Sequence, residues 1–155
     1  MELIIWRHAE AGDSAGGGDL ARKLSPKGER QAEQMGRWLE LRLAPQTRVI
    51  VSPALRCQQT ARALGRGFET VDAIAPGASA EALLSEAGWP DATEQPVLVV
   101  GHQPTLGLAV SLALTGRAEH WSIKKAGVWW LRHRPKHDDD ESPVIVVAVE
   151  SPGAV

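Results

Sequence analysis

The chain has 155 residues, 43% of them hydrophobic and 23% charged, which predicts one globular domain over residues 1–155 with a substantial core. Its formal net charge of -2 gives no field that would recruit nucleic acid or an acidic membrane surface, and no apolar run approaches the roughly 20 residues of a membrane span. A single cysteine excludes an internal disulfide framework, and the first apolar run is too short for a signal peptide, so we expect a cytoplasmic protein.

Apolar runs alternate with segments of helical spacing along the chain. In the first half the pattern predicts a strand at Leu3–Trp6, a loop over 12–19, a helix from Ser25-Pro26 that ends before Pro45, a strand at Val49–Val51 and a helix from Ser52-Pro53 to about Leu64. In the second half it predicts a short strand within 68–76, a helix from Ser79 to about Ala87, a strand at Val97–Val100, a helix from Pro104 to about Thr115, and strands at Val128–Leu131 and Val144–Val149. The serines that open the first three helices are predicted as N-caps. Strands that alternate with helices favour an α/β fold with a largely parallel sheet, and the short link between the last two strands favours an antiparallel pair.

Three of the predicted strands end in a polar cluster. Arg7-His8 follows the strand at 3–6, Ser52–Arg56 follows the strand at 49–51, and Gly101-His102 follows the strand at 97–100. Because the carboxyl ends of parallel strands meet at one edge of a sheet, where α/β folds bind ligands, we expect these clusters to lie together. Arginine offers a planar fork of donors suited to phosphate oxygens, and imidazole acts as nucleophile, acid or base near neutral pH. Two arginines and two histidines are therefore a minimal set for phosphoryl transfer, which needs mainly positioning and charge stabilisation.

Three segments carry a resemblance to a known family: Arg7-His8-Ala9-Glu10, Ser52-Pro53-Ala54-Leu55-Arg56-Cys57-Gln58-Gln59-Thr60-Ala61 and Gly101-His102-Gln103-Pro104. In this order they resemble the signature of the histidine phosphatase superfamily, also called phosphoglycerate mutase-like. The resemblance extends from Leu3 to about Leu131, and the short length and the Gly-His-Gln-Pro segment are most similar to the SixA-type phosphohistidine phosphatases. It implies a three-layer α/β/α fold with a mostly parallel central sheet, in a minimal form without a large cap.

The resemblance also implies roles for particular residues. His8 would be the nucleophile that becomes phosphohistidine, and Arg7 and Arg56 would bind the phosphoryl oxygens. His102 would hydrogen-bond the same group in the transition state, and water would then hydrolyse the phosphoenzyme. No metal or other cofactor would be needed, because the arginines neutralise the charge. Ser52 is interpreted first as an N-cap, and contact of its hydroxyl with phosphate is the lesser alternative.

Many members of this superfamily carry a carboxylic acid between the second and third motifs, and its place here is open. Asp72 and Glu81 are the candidates for a general acid, while solvation on a helix surface also explains Glu81. A missing acid would suit a labile leaving group such as phosphohistidine and would slow attack on alkyl phosphates by about 10²–10⁴-fold. The stretch between Arg56 and His102 is too short for a lid, which predicts an open site. A lysine of the Lys124-Lys125 pair either reaches the rim of this site or is solvated.

We therefore predict a metal-independent phosphatase that acts on protein phosphohistidine, with a phosphorylated protein of the histidine phosphotransfer type as its partner. One alternative is a phosphatase for sugar phosphates or other small phosphoesters. An alternative of another class is a phosphate- or phosphoprotein-binding module without turnover. A nucleophile beside two arginines argues against the module, since binding alone does not require it.

Other polar groups have simpler explanations than chemistry. His133, His137 and the acidic run Asp138–Glu141 would suit a metal by residue type, but their place in a polar turn favours solvation. Cys57 is interpreted as a small residue of a helix. Thr60 lies one helical turn after Arg56 and is interpreted as packing against that arginine or orienting it.

Overall fold

The computed structural model describes residues 1–14, 16–92, 95–134 and 143–155. Its strands are β1 (Glu2–Arg7), β2 (Arg48–Val51), β3 (Glu69–Thr70), β4 (Val97–Gly101), β5 (Val128–His133) and β6 (Val144–Glu150). Its α-helices are α1 (Pro26–Glu40), α2 (Leu55–Arg62), α3 (Ala80–Ala87) and α4 (Thr105–Thr115), and 3-10 turns cover Asp19–Ala21 and Asp72–Ile74. Within these described ranges, no helix is long and apolar enough to cross a membrane.

The strands form one six-stranded mixed sheet in the order β3-β2-β4-β1-β5-β6. The first four of these strands run parallel to one another, whereas β5 is antiparallel to β1 and β6 is antiparallel to β5. The predicted α/β fold, its largely parallel sheet and the antiparallel final pair are confirmed. The order also places β1 and β4 side by side at the centre, with β2 next to β4.

Helices cover both faces of the sheet, so the fold has three layers. Along β1, Ile4 and Trp6 pack in a cluster with residues of α1 and α2, whereas Leu3 and Ile5 pack with residues of α3 and α4. All four side chains are fully buried. Each such aliphatic or aromatic side chain contributes roughly 1.5–3 kcal/mol through burial. The strand is thus anchored from both sides, which holds the end of β1 in place for Arg7-His8.

The serines that precede the helices behave in two ways. Ser25 and Ser79 each accept a hydrogen bond from a backbone N–H in the first turn, at 3.0 Å, and so cap α1 and α3 as predicted. The predicted cap at Ser52 is wrong, because the cap residue of α2 is Ala54, which makes no side-chain cap bond. The hydroxyl of Ser52 instead contacts the ring of His102 at 2.7 Å. This serine therefore belongs to the cluster at the sheet edge.

The segment between α2 and β4, where a cap domain over the sheet edge would be inserted, has little secondary structure. Between α2 and β4 the described residues form only β3, one 3-10 turn and α3. Of the residues considered as metal ligands, His137 and the run Asp138–Glu141 lie outside the described residues. His133 ends β5, and its ring packs edge-on against Trp89, with 5.8 Å between centroids.

Candidate active site

The ends of β1, β2 and β4 meet at one edge of the sheet. Arg7 pairs with Gly101 in the parallel register of β1 and β4, and β2 continues the same edge beside β4. The rings of His8 and His102, which follow these strands, lie 5.3 Å apart between centroids. The predicted convergence of the three polar clusters is therefore confirmed. We call the space lined by Arg7, His8, Arg56 and His102 the basic pocket.

One ring nitrogen of His8 makes a hydrogen bond, and the other is free to react. Its Nδ1 lies 2.7 Å from the carbonyl oxygen of Ala9, so Nδ1 carries the hydrogen and donates it. The Nε2 of this tautomer then bears a lone pair. Burial, helped by the charges of Arg56, Arg7 and Arg22 and opposed by the bond to Ala9, lowers the pKa of His8 to about 4. The ring is therefore neutral at pH 7 and has its nucleophilic form.

Backbone hydrogen bonds fix the position of this histidine. The His8 amide donates to Gly101 at 3.1 Å, and its carbonyl accepts from Ala126 at 3.1 Å. The hydroxyl of Thr60 accepts from the Ala9 amide at 3.0 Å and donates to the Arg56 carbonyl at 2.7 Å. Thr60 thus joins the loop after β1 to α2, so it orients the two motifs relative to each other through their backbones.

The two arginines of the basic pocket each keep an unused donor. The Arg7 Nη1 donates to the carbonyl of Ile123 at 2.7 Å, and burial lowers the pKa of Arg7. Arg56 is 5% exposed, and both its terminal nitrogens donate to Asp19. Within the described residues, the Nε atoms of Arg7 and Arg56 are buried and have no hydrogen-bond partner. Because an unpaired buried donor on a charged group is costly, this pair is suited to an anion that supplies the acceptor oxygens.

His102 is the second imidazole of the basic pocket and is 4% exposed. Its Nε2 lies 2.7 Å from the Oγ of Ser52, which accepts the amide hydrogen of Ala54 at 3.2 Å and can donate its own hydrogen to Nε2, so that the ring N–H stays at Nδ1. Burial lowers the pKa of His102 to about 3, helped by the charges of Arg56 and other basic groups and opposed by Asp19. His102 is therefore neutral at pH 7, like His8, and has one ring N–H to donate.

Cys57 has a contact that the sequence does not reveal. Its Sγ lies 3.4 Å from the Nε2 of His102, and the side chain is fully buried. Burial raises the pKa of this thiol to about 12. The cysteine is therefore a neutral group that packs against the His102 ring. Its interpretation as a small helix residue does not include this contact.

Asp19 is the charged neighbour of the basic pocket that sequence reasoning missed. Its carbonyl accepts from the Arg56 Nη1 at 2.9 Å, and its carboxylate accepts from the Nη2 at 3.1 Å. Hydrogen bonding to Arg56, together with Arg22, lowers the pKa of Asp19. The only sequence signal is the spacing of Asp19 and Arg22, three residues apart in a glycine-rich loop, which gives an ion pair at 3.4 Å.

The two predicted general acids lie on elements other than those that carry this cluster. Asp72 lies in a 3-10 turn and Glu81 in the first turn of α3, and both are exposed. Among the described residues, no hydrogen bond or ion pair joins either carboxylate to the basic pocket. In the same ranges, no group of three or more His, Cys, Asp and Glu residues is arranged to hold a metal ion. A general acid at Asp72 or Glu81 stays a prediction.

Two lysine side chains lie close to the loop that follows His8. The segment that carries Lys125 is also tied to the basic pocket, because the carbonyl of Ile123 accepts from Arg7. The Nζ atoms of Lys27 and Lys125 lie 3.9 and 4.0 Å from a carboxylate oxygen of Glu10, two residues after His8. Both lysine side chains are exposed, at 65% and 49%. We call Asp19, Arg22, Lys27 and Lys125 the rim.

Comparison with known proteins places these residues in a family. The model of the Histidine phosphatase superfamily (branch 1) matches residues 3–77. The phosphohistidine phosphatase SixA homolog of Haemophilus influenzae is 30% identical over 125 residues, which covers 72% of this chain and 76% of that protein. A Nakamurella multipartitia structure assigned to SixA has a TM-score of 0.77 at 28% identity, over 99% of this chain and 96% of that one. The structure of the protein histidine phosphatase SixA complexed with tungstate shares the fold, with a TM-score of 0.75 at 23% identity over 98% and 97% of the two chains.

The matched residues include the Arg7-His8 pair at the end of β1 and Arg56 at the start of α2, two of the three segments that meet at the sheet edge. The likeness to solved structures extends over the third segment as well. The chain is accordingly a phosphatase that belongs to the histidine phosphatase superfamily.

Proposed function

We propose that this phosphatase works through a covalent phosphohistidine on His8 and that its substrate is phosphohistidine on a protein. The observation that carries the covalent step is the neutral ring of His8, held through Nδ1 so that the Nε2 lone pair is free. Two guanidinium groups with unpartnered Nε donors lie beside this ring. Such an arrangement suits a phosphoryl group, whose oxygens accept hydrogen bonds and whose phosphorus accepts the lone pair.

The first step moves the phosphoryl group to the enzyme. The Nε2 of His8 attacks phosphorus, and the bond from phosphorus to the leaving group breaks with its electron pair going to the leaving group. Arg7 and Arg56 donate to the phosphoryl oxygens, over which negative charge is spread in the transition state. His102 donates a ring N–H to the same oxygens.

The second step restores the enzyme. A water oxygen attacks phosphorus, and the electrons of the P–N bond return to the Nε2 of His8. Inorganic phosphate leaves with the oxygen of that water. The same donors stabilise both transition states, because both place the charge on the same three oxygens.

Phosphohistidine suits this site better than an alkyl phosphate does. An alkoxide leaves poorly unless an acid protonates it, and no described contact brings Asp72 or Glu81 to the basic pocket. An imidazole that already carries a proton leaves as a neutral ring and needs no such acid. The Haemophilus relative, whose name is phosphohistidine phosphatase SixA homolog, supports the same substrate class. The short segment between α2 and β4 leaves the pocket open to a side chain on a protein surface.

The test is a comparison of three substrates under one set of conditions with EDTA present. The substrates are a histidine phosphotransfer protein phosphorylated on histidine, an aryl phosphate and a sugar phosphate. We expect the phosphoprotein to be hydrolysed fastest, the aryl phosphate more slowly and the sugar phosphate slowest. Quenching during turnover should trap an acid-labile phosphoenzyme, which phosphohistidine forms and a serine ester does not.

Three outcomes would overturn different parts of the proposal. A folded enzyme that hydrolyses the sugar phosphate fastest would be a phosphatase for small esters. A folded protein that binds tungstate but turns over none of the three would be a binding module. An acid-stable phosphoenzyme would remove His8 from the covalent step while leaving the substrate class open to the rate comparison.

A further inference from the structure

The Asp19 carboxylate occupies an unusual place for a negative charge. It lies at the mouth of a pocket built from positive groups, where it accepts from the Arg56 Nη2 at 3.1 Å, and its other oxygen lies 3.4 Å from the Arg22 Nη1. Arg22 is itself anchored by a bond from its Nε to the Gly12 carbonyl at 3.0 Å. The Asp19 side chain is 54% exposed, whereas that of Arg56 is 5% exposed. The carboxylate therefore lies between the buried arginine and solvent.

Asp19 has two separable effects: it positions Arg56 through hydrogen bonds, and its negative charge creates an electrostatic field. The Arg56 Nη1 is held by the backbone carbonyl of Asp19 at 2.9 Å, which does not depend on the side chain. An amide oxygen in place of the carboxylate can still accept from the Nη2. The placement of Arg56 therefore does not require the negative charge of Asp19. Its field reaches the interior, because Asp19 opposes the lowering of the pKa of His102.

We propose that Asp19 is a specificity-determining residue that favours leaving groups carrying positive charge over leaving groups that depart as anions. The inference rests on the proposed function, since it assumes attack by His8. Because attack is in line, the leaving group lies opposite the Nε2 of His8 and points to the mouth of the pocket. The Asp19 carboxylate then interacts more strongly with the charge of the leaving group than with the charge of the phosphoryl oxygens, because Arg7 and Arg56 neutralise those oxygens.

The two classes of substrate differ in the charge that appears near Asp19. In an N-phosphorylated imidazole, one ring nitrogen bonds phosphorus and the other binds a proton, so the ring is cationic before attack. When the P–N bond breaks, its electron pair neutralises the ring, and imidazole leaves with that proton. In an aryl phosphate, the electron pair of the P–O bond goes to oxygen, and a phenolate anion leaves. A carboxylate at the mouth stabilises the cationic ring and repels the developing phenolate.

The test is the Asp19→Asn enzyme with phosphoimidazole and 4-nitrophenyl phosphate as the two substrates. We expect kcat/KM to fall for phosphoimidazole and to rise for 4-nitrophenyl phosphate, so that their ratio drops about three- to tenfold, the scale of one partly solvated charge. The change should shrink in high salt, because exposed charges are screened. Asp13→Asn is the matched control, since it removes an exposed charge from the same loop, and its ratio should equal that of the wild type.

The outcomes separate this proposal from the one on which it rests. A ratio that is unchanged in Asp19→Asn, or rates that fall equally for both substrates, would show that Asp19 only places Arg56 and would overturn the proposal. A wild type that hydrolyses neither of these substrates nor the phosphoprotein overturns the proposed function instead. Titration with tungstate then tests Asp19 separately. Loss of the repelling carboxylate in Asp19→Asn should tighten binding of the tungstate dianion. Unchanged or weaker binding would contradict the electrostatic role of Asp19.

Discussion

The basic pocket and its rim differ in burial and in the way the chain builds them. Three of the four side chains of the basic pocket are 8%, 5% and 4% exposed, for His8, Arg56 and His102. On the rim, the side chains of Asp19 and Lys125 are 54% and 49% exposed. Interactions among buried charges escape screening by solvent and salt, whereas those on the rim do not. The pocket should therefore control whether a phosphoryl group is transferred, and the rim should control which leaving group or partner is accepted.

The substitution His8→Ala should have the largest effect of any in the molecule. We expect no measurable turnover of aryl phosphate and no phosphoenzyme, because the substitution removes the Nε2 lone pair that attacks phosphorus. Binding of tungstate should remain measurable by calorimetry, since Arg7 and Arg56 keep their donors. His120→Ala, which removes an exposed histidine, is the matched control and should have wild-type rates. Residual turnover by a purified His8→Ala protein would refute the nucleophile.

Replacing Arg56 by lysine tests whether the pocket depends on shape as well as charge. Lysine keeps the charge, but its single nitrogen lacks the planar fork with which Arg56 bonds the Asp19 backbone and carboxylate and presents further donors to phosphate. We expect kcat/KM for aryl phosphate to fall by about 10²–10³-fold, comparable to loss of a transition-state donor. Arg132→Lys, on the exposed face of β5 near the opposite end of β1, is the control and should change little. A loss below about tenfold would mean that charge alone suffices.

The basic pocket could be predicted from sequence because its residues follow strands. Apolar runs mark β1, β2 and β4, and parallel pairing puts the residues after them at a common edge. The position of each residue just after a strand therefore predicted that four residues distant in sequence lie close together, namely Arg7, His8, Arg56 and His102. The signature that these motifs resemble then narrowed the chemistry to phosphoryl transfer.

The rim could not be predicted in the same way. Asp19 and Arg56 are separated by 37 positions, and the loop that carries Asp19 has no periodicity that would orient it. Ser52 misled for a related reason, since a serine before a proline is a common N-cap, and only the contact with His102 across the sheet edge decides its role. Local pattern predicts elements and their ends, whereas loop contacts depend on packing that the pattern does not contain.

Burial of the two imidazoles should make stability depend on pH. The pKa values of His8 and His102 are lowered from 6.5 to about 4 and about 3, so between those values the unfolded chain binds protons that the folded chain does not. The free energy of unfolding should therefore be highest above pH 6.5 and fall as the pH drops towards 4. Each unit by which a pKa is lowered corresponds to about 1.4 kcal/mol.

Urea denaturation at several pH values measures this dependence. His102→Asn removes one of the two groups, so its stability should fall less steeply than that of the wild type between pH 6.5 and 4. His120→Ala should keep the wild-type slope, because that histidine is exposed. Equal slopes for the wild type and His102→Asn would show that the buried ring is not the source of the acid sensitivity.

The rim should give the smallest effects and the strongest dependence on the substrate. Lys125 lies 4.0 Å from Glu10 and is half exposed, so Lys125→Ala should change the stability by less than about 1 kcal/mol and kcat/KM for aryl phosphate by less than about twofold. If the substrate is a phosphoprotein, as proposed, it would cover the rim as well as the pocket, so the same substitution should lower its kcat/KM several-fold, and more at low salt than at high salt. Arg132→Ala removes an exposed, ion-paired cation far from the pocket and should change neither rate. If Lys125→Ala lowers both rates equally, the lysine acts on the pocket itself, and the division between pocket and rim fails at this residue.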